Sequence, residues 1–452
     1  MIRVGVNLQK INIDPITAIN FQDYTAIDLI HEPLVYFDPN SNVFGALAEN
    51  WSVNPDGTEY VFNLRETRFH NGSRVTSEDV IETFGRHLRK DSGSYLRENL
   101  LSVLADVGRP IEALGKNRVK FTLKGAYPGF LELLSAVYIL PQVRGDMGVG
   151  AGPYRLIDFS ETSLRLERDR MNKSSDIQAL ELRTIQTHEY QKVLLSGEVD
   201  LAIQAPLNVT TNPPSDYHVF QSPADRVSVW AYFNLSKSVW QNKENRIFMQ
   251  ETLWLARNES GFLSLFDRPM NHFVDLPESK IDVIKHSLKK PKSFPDKIRL
   301  IVPNTFFSRN AIQNIRQKMI QNGIEVEFVL GKGKELFDPV SQGDFDIAFV
   351  PYEIARSDPD ELLFLITPDA PLIRYFHLPT RHYLDELNLL KFLPDKTDRR
   401  IRYQEVFLKI ERESLVVPLF SQRMPFLYLK HRLRPFEGYS RTPLGLRFWS
   451  LV

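Results

Sequence analysis

Between residues 44 and 88 the chain's apolar and polar residues fall into a readable order. Trp51, Val53 and the run Tyr60, Val61, Phe62 and Leu64 have the aromatic and β-branched content of two strands. Asn54-Pro55-Asp56-Gly57 between them is turn chemistry, proline presetting φ and glycine accepting a positive one. A helix is predicted after Thr76. Thr76 is its N-cap, Asp79 gives a short-armed capping box, and Val75 and Val80 occupy the staple positions.

The rest of the chain extends this alternation of strand and helix. Residues 2–8 read as a first strand, closed by Asn12-Ile13-Asp14-Pro15 and followed by a helix holding Ala26, Leu29 and Ile30. Further strands are predicted at 118–123, 181–185 and 227–234, with a short helix from Tyr127. Gly148, Gly150 and Gly152 precede Pro153-Tyr154, which suits a tight backbone passage. A phosphate loop would need Gly-Lys-Ser/Thr opening a helix, and here a strand follows. In the strand at 227–234, Trp230 and Tyr232 share one face, which suits either a cleft wall or core. Later, a strand at 299–303 leads into a helix with Ile312, Ile315, Met319 and Ile320 at amphipathic spacing. Asn322-Gly323 ends it, and strands at 324–330 and 345–350 follow. Strand, helix, strand with short connections argues for a parallel α/β lobe.

Length adds that one core is not enough: 452 residues exceed the ~250–300 at which single cores stop growing, so at least two domains are expected. Lys+Arg and Asp+Glu both number 56, so no basic excess points to nucleic acid or anionic lipid. No cysteine is present, which excludes disulfides, thiolate metal sites, a cysteine nucleophile and a lipidated cysteine within this chain. The ten histidines are scattered without metal-ligand spacing, and no Gly-x-Ser-x-Gly elbow occurs. Binding without catalysis, cofactor or metal is therefore expected.

Five short motifs then stand in one register: Ala46-Leu47-Ala48-Glu49-Asn50-Trp51, Asp56-Gly57-Thr58, Phe62-Asn63-Leu64-Arg65, Phe69-His70-Asn71-Gly72 and Thr76-Ser77-Glu78-Asp79-Val80. With Gly150-Ala151-Gly152-Pro153-Tyr154 and Ser196-Gly197-Glu198-Val199-Asp200, the chain resembles the family 5 extracellular solute-binding proteins, the oligopeptide-, dipeptide- and nickel-binding components of bacterial ABC importers. The resemblance implies an α/β fold of the periplasmic-binding-protein type II class, two lobes joined by a hinge. The first lobe would take residues 1–42, 141–234 and 417–452, an inserted small domain 43–140, and the second lobe 235–416. Residues 255–297 are shorter than the family pattern and match it poorly.

What the resemblance implies for function is capture of a small solute in the interlobe cleft by hinge closure, with delivery to an ABC permease. A short peptide is the first expectation, and a sugar or other non-peptide the second. In the family the loop after Asp14-Pro15 runs along the ligand cleft, which makes Asn20, Phe21 and Gln22 candidate contacts beside Trp230 and Tyr232. Tyr352, Glu353, Ala355 and Arg356 complete the set. Peptide binders anchor the ligand's ammonium on an aspartate shortly before an Asp-Pro pair; aligned on Asp358-Pro359, that position is Ala355. Losing one partner of a buried ion pair costs about 3–5 kcal/mol. Glu353 is the candidate substitute, while Arg356 favours an anionic or hydroxyl-rich ligand. A monomer without nucleic acid is expected, on the periplasmic or extracellular face of the membrane. No apolar leader precedes the first strand, so either a secretion signal has been removed or the protein is cytoplasmic. The alternative is the ligand-sensing half of a sugar-phosphate-stress transcription regulator without its DNA-binding part.

Overall fold

The computed structural model describes residues 1–18, 21–37, 42–142, 147–169, 176–273, 289–331, 333–353, 359–370, 372–435 and 446–452. The chain divides into two compact units. Unit 1 holds Met1–Pro223, Phe392–Pro394 and Pro425–Val452; unit 2 holds Ala224–Lys391 and Asp395–Met424. The chain passes between them within the strands Tyr217–Phe233 and Val416–Leu429, and again on either side of 392–394.

At the centre of unit 1 is the strand Ile2–Val6, whose side chains are almost all buried. It pairs in parallel with Ala179–Thr184 on one side, Val4 opposite Leu182, and with Leu201–Ile203 on the other, Gly5 opposite Ala202. The antiparallel hairpin Tyr154–Ser160 and Ser163–Arg168 extends the first side. The end of Val416–Leu429 extends the second, Leu427 opposite Ala202. Among the side chains of Ile2–Val6 only that of Arg3 is polar, and it pairs with the buried Asp200 at 2.9 Å.

The stretch expected as an inserted domain carries its own sheet within unit 1. Ala48–Val53, Glu59–Leu64, Arg118–Thr122 and Ile111–Ala113 form four antiparallel strands in the order first, second, Arg118–Thr122, Ile111–Ala113. Phe62, Phe84 and Phe130 each meet Phe121 edge-on in a common core. The turn between the first two strands uses Gly57 at φ 69°, and the Asn54 side chain accepts from the N–H groups of Thr58 (2.8 Å) and Glu59 (2.9 Å). The helix Ser77–Leu88 starts as its cap predicts. Asp79 accepts from the Thr76 N–H (2.8 Å) and hydroxyl (2.7 Å), and also from the Gln142 N–H (3.0 Å).

Unit 2 is the parallel α/β arrangement read from the sequence. Lys297–Pro303 pairs in parallel with Glu325–Gly331 and with Ile347–Glu353. Arg309–Gln321 crosses between the first two, capped by Ser308, whose hydroxyl accepts from the Ala311 N–H at 3.0 Å. Ile347–Glu353 also pairs antiparallel with residues 227–233.

One local expectation changes. Phe21 and Gln22 are not in a loop: they open the helix Phe21–Ile30. The turn after Asp14 is short because the Asp14 carboxylate accepts from the Ile16 N–H (2.9 Å) and its carbonyl from the Ala18 N–H (3.0 Å).

Candidate functional site

In open sheets with parallel strands, ligands bind outside the carboxyl ends. In unit 1 the parallel strands Ile2–Val6, Ala179–Thr184 and Leu201–Ile203 end beside one another; the buried Ile185 leaves the second, and polar, uncharged residues leave the other two. Asn7 follows the first, Thr187 lies just beyond the second, and Gln204 follows the third. Asn7 donates its amide N–H to the Gln204 carbonyl at 3.1 Å, and the Thr187 hydroxyl donates to Asn7 Oδ1 at 3.2 Å. Gln22, from the first turn of Phe21–Ile30, completes the group: its carboxamide bonds to that of Gln204. Gln22 is buried and Gln204 half-buried. Gln204 has φ 52°, in the left-handed region that side-chain-bearing residues rarely occupy. Such outliers persist where surrounding structure enforces them, and they collect at functional sites.

In unit 2 the strand Ile347–Glu353 likewise runs its carboxyl end into the segment read from sequence as ligand-selecting. The Tyr352 hydroxyl lies 3.1 Å from both the carbonyl and the carboxylate of Glu361, and its ring stacks on Phe364 at 5.4 Å. Trp230 and Tyr232 sit in the core of this unit, fully buried. The Trp230 indole N–H donates to the Ser228 hydroxyl (2.7 Å) and its ring packs on Phe273 at 4.6 Å. Tyr232 donates to the Leu365 carbonyl (2.8 Å), stacks on Phe376 at 4.5 Å, and has its phenol pushed up by burial. Of the two roles open to this pair, core is the one their surroundings match. Asn20, Ala355 and Arg356, and the side chains of Phe21 and Glu353, lie outside the described residues.

Other motifs are structural. Within Ser196-Gly197-Glu198-Val199-Asp200, Gly197 takes φ 65° and Glu198 pairs with Arg183 at 2.7 Å. Asp200 is wholly buried; its carboxylate accepts from the Arg3 N–H (2.7 Å) and guanidinium (2.9 Å) and from Arg432. The motif thereby ties the first strand to the chain's last segment. At the glycine passage, a Cβ on Gly150 would lie 1.9 Å from the Ile30 carbonyl oxygen, and one on Gly152 2.6 Å from the Ile30 carbonyl carbon. Two histidines hold the passage: His31 Nε2 lies 3.0 Å from the Met147 carbonyl and His70 Nε2 3.0 Å from that of Gly152. Burial pushes His31 down to about 3 and also lowers His70, so both are neutral at pH 7.

Of this group, the sequence reading names Gln22 and does not name Asn7, Thr187 or Gln204. The available signal was their position, each a polar residue at or just past the end of an apolar strand, which becomes meaningful only once those strands are known to be parallel neighbours. Cavities of about 440 Å³ in unit 2, at Arg246 and Tyr383, and about 650 Å³ in unit 1, at Ile81 and Ile111, lie away from these groups. Among the described residues, no His, Asp or Glu cluster would hold a metal ion, and no helix is long and apolar enough to cross a membrane.

Residues 42–247 match the model of the bacterial extracellular solute-binding proteins, family 5 middle. A Brucella ovis chain named as an ABC transporter peptide-binding protein is 30% identical over 132 residues, 29% of this chain and 24% of that one. The match thus spans about a quarter of the relative's length. YbaE of Escherichia coli is 22% identical over 447 residues, 93% of this chain and 71% of YbaE. The structure of the Escherichia coli murein tripeptide binding protein MppA superimposes with a TM-score of 0.84 at 17% identity, covering 100% of this chain and 98% of MppA. Residues 42–247 therefore match the family 5 bacterial extracellular solute-binding proteins in sequence, and the whole chain shares the fold of MppA.

Proposed function

We propose that this protein captures a small solute, a peptide or related compound, on the periplasmic side of the membrane and delivers it to an ABC permease. The observation that carries the proposal is the family match over residues 42–247. The carboxyl-end groups of the two units support it. Gln22, Asn7, Thr187 and Gln204 in unit 1 and Tyr352 in unit 2 stand where α/β sheets receive ligands. Asn20, Phe21, Glu353 and Arg356 join them on the sequence resemblance. With Ala355 at the position where the resemblance places an ammonium-anchoring aspartate, an α-ammonium must find its counter-charge elsewhere, and Glu353 is the nearest carboxylate in sequence. The activity is binding without turnover, so a captured solute is released unchanged.

Native mass spectrometry of protein purified from its own host, with bound molecules released and identified, tests this. Recovery of short peptides supports the peptide reading. A sugar or another non-peptide keeps the capture role and moves the ligand class towards the one Arg356 favours. An empty protein that no member of a broad solute panel stabilises overturns the proposal.

A further inference from the structure

The cavity of about 440 Å³ in unit 2 is bordered by a buried arginine that has no carboxylate partner. Arg246 donates from Nε (3.1 Å) and Nη2 (2.9 Å) to the Glu413 carbonyl, and from Nη1 to the carbonyls of Trp240 (2.8 Å) and Gln241 (2.9 Å). A guanidinium has five N–H groups, so one on Nη2 is left over. The Glu413 carboxylate turns instead to Lys243 at 2.8 Å, and among the described residues no carboxylate forms an ion pair with Arg246. Its charge is met only by carbonyl dipoles, and burial lowers its pKa. Three more polar side chains share the wall. Among the described residues, the imidazoles of His377 and His382 and the hydroxyl of Tyr383 have no hydrogen-bond partner. Burial, with Glu413 adding to it, pushes the Tyr383 phenol up, so it stays a donor. Leu235, Pro379 and Leu415 supply an apolar side. Phe233 stands opposite Ile347 and Val227 opposite Glu353, which puts Leu235 beyond the amino end of Ile347–Glu353. The cavity is therefore at the other end of that strand from Tyr352 and Glu353.

We propose that this cavity is a second binding site, separate from the candidate solute site, for a small organic monocarboxylate. The carboxylate takes the remaining Nη2 N–H of Arg246 and the Tyr383 hydroxyl, with the two imidazoles as further donors. Its hydrocarbon body lies against Leu235, Pro379 and Leu415. Charge sets the class. The half-exposed Lys243–Glu413 pair cancels itself, and Arg246 leaves a single positive charge for a single negative one. A phosphate dianion exceeds that charge and has no use for the apolar side. A neutral amide of the same shape leaves Arg246 uncompensated, and a cation is repelled by it.

The probes are benzoate and 2-methylpropanoate, titrated by calorimetry into the full chain, with benzamide and inorganic phosphate as comparisons. At least one carboxylate binds, and benzoate binds at least about tenfold more tightly than benzamide, the scale of one hydrogen bond to a charged group. Tyr383→Phe removes a hydroxyl that no described neighbour uses, and it weakens carboxylate binding by about tenfold. Arg246→Met abolishes it. Arg246 also holds three main-chain carbonyls, so circular dichroism checks that this variant is folded. If it is not, the double variant His382→Leu, Tyr383→Phe takes its place, with a loss greater than that of Tyr383→Phe alone. The proposal is overturned if neither carboxylate binds at tens of millimolar, or if phosphate binds in their place. Benzamide binding as tightly as benzoate, or undiminished carboxylate affinity in Tyr383→Phe, overturns it too. None of these outcomes touches solute capture, which the molecules recovered from the host test separately.

Discussion

Arg447 and Asp28 are 419 residues apart in the chain and meet at 3.3 Å inside unit 1, both almost completely buried. Glu32, one helical turn beyond Asp28 in sequence, takes the other arm of the guanidinium at 2.6 Å. The Tyr138 hydroxyl donates to the same Asp28 oxygen at 3.0 Å, and the Arg447 guanidinium lies 4.9 Å from the centre of the Tyr36 ring. Burial, with Asp28 adding to it, pushes the Glu32 carboxyl up against the pull of Arg447, and the two carboxylates hold the arginine charged. Replacing Arg447 with leucine strands two buried carboxylates. Unfolding free energy in urea is expected to fall by about 3–5 kcal/mol, the scale for removing one partner of a buried ion pair. A loss below about 1 kcal/mol would mean the cluster is hydrated and of little weight.

The paired histidines at the glycine passage predict a pH dependence with a definite sign. His31 is lowered to about 3 from the ordinary 6.5, burial being the main cause and His70 the second. Its stabilising contribution is complete above pH 6.5 and is lost as pH falls towards 3, because the unfolded state takes up the proton first. His70 shifts the same way, with Asp169 at 3.9 Å partly opposing the burial. Stability therefore falls with acidification between about pH 6.5 and 3, by up to ~1.4 kcal/mol per pH unit from His31 alone. The variant His31→Gln should show a shallower slope in denaturant titrations at pH 6, 5 and 4. An unchanged slope would falsify the assignment to His31.

Gly150→Ala tests the passage sterically. The new methyl would stand 1.9 Å from a backbone oxygen, an atom that cannot swing aside as a side chain does. The expected destabilisation is at least ~3 kcal/mol, at the upper end for overpacking. Gly72→Ala is the control for space alone, with nothing within 4 Å of the added carbon, although its φ of 88° still penalises a side chain. Its loss should be clearly smaller, and thermal melts of the two variants decide the matter.

Asp79 has more work than its position in the cap suggests. Thr76→Ala should lose about 1 kcal/mol, as N-cap replacements do. Asp79→Ala should lose about 2–3 kcal/mol, since its carboxylate also receives the Gln142 N–H at 3.0 Å and three donors are left unmet. Equal losses in chemical denaturation would show that the Gln142 bond has no weight.

His377 gives a prediction in the stabilising direction. It is exposed and carries φ 57° at the end of the short helical turn Ile373–Phe376. Glycine at this position relieves the left-handed conformation, and His377→Gly is expected to gain up to about 1 kcal/mol. A melting temperature at or below that of the wild type would count against the strain.

Local chemistry was legible where neighbours in sequence are neighbours in space. The Asn54–Gly57 turn, the Thr76 cap and the helix through Ile312, Ile315 and Met319 follow from residues within a few positions of one another. The family motifs extended this reach, because a register of five short matches stands in for knowledge of the fold. Long-range partnerships were not legible. Nothing near Arg447 announces Asp28, and nothing in Ser196-Gly197-Glu198-Val199-Asp200 shows that its aspartate serves Arg3 and Arg432. Trp230 and Tyr232 show the same limit: an alternating aromatic face reads alike whether it meets solvent or, as here, Phe273 and Phe376. Gln204 escaped because its backbone strain belongs to the folded state and has no counterpart in composition.

The position of Ile2–Val6 sets an order of events during synthesis. The first strand made is the middle strand of its sheet, and its partners are residues 180–184 and 201–203. Leu201–Ile203 in turn waits for residues 426–428. A ribosome must therefore finish nearly the whole chain before unit 1 can close, by which time residues 224–391 of unit 2 have already emerged. Such high contact order slows folding and leaves unpaired apolar strands waiting in the nascent chain. For a protein proposed to act beyond the membrane, that delay keeps the polypeptide in a threadable state.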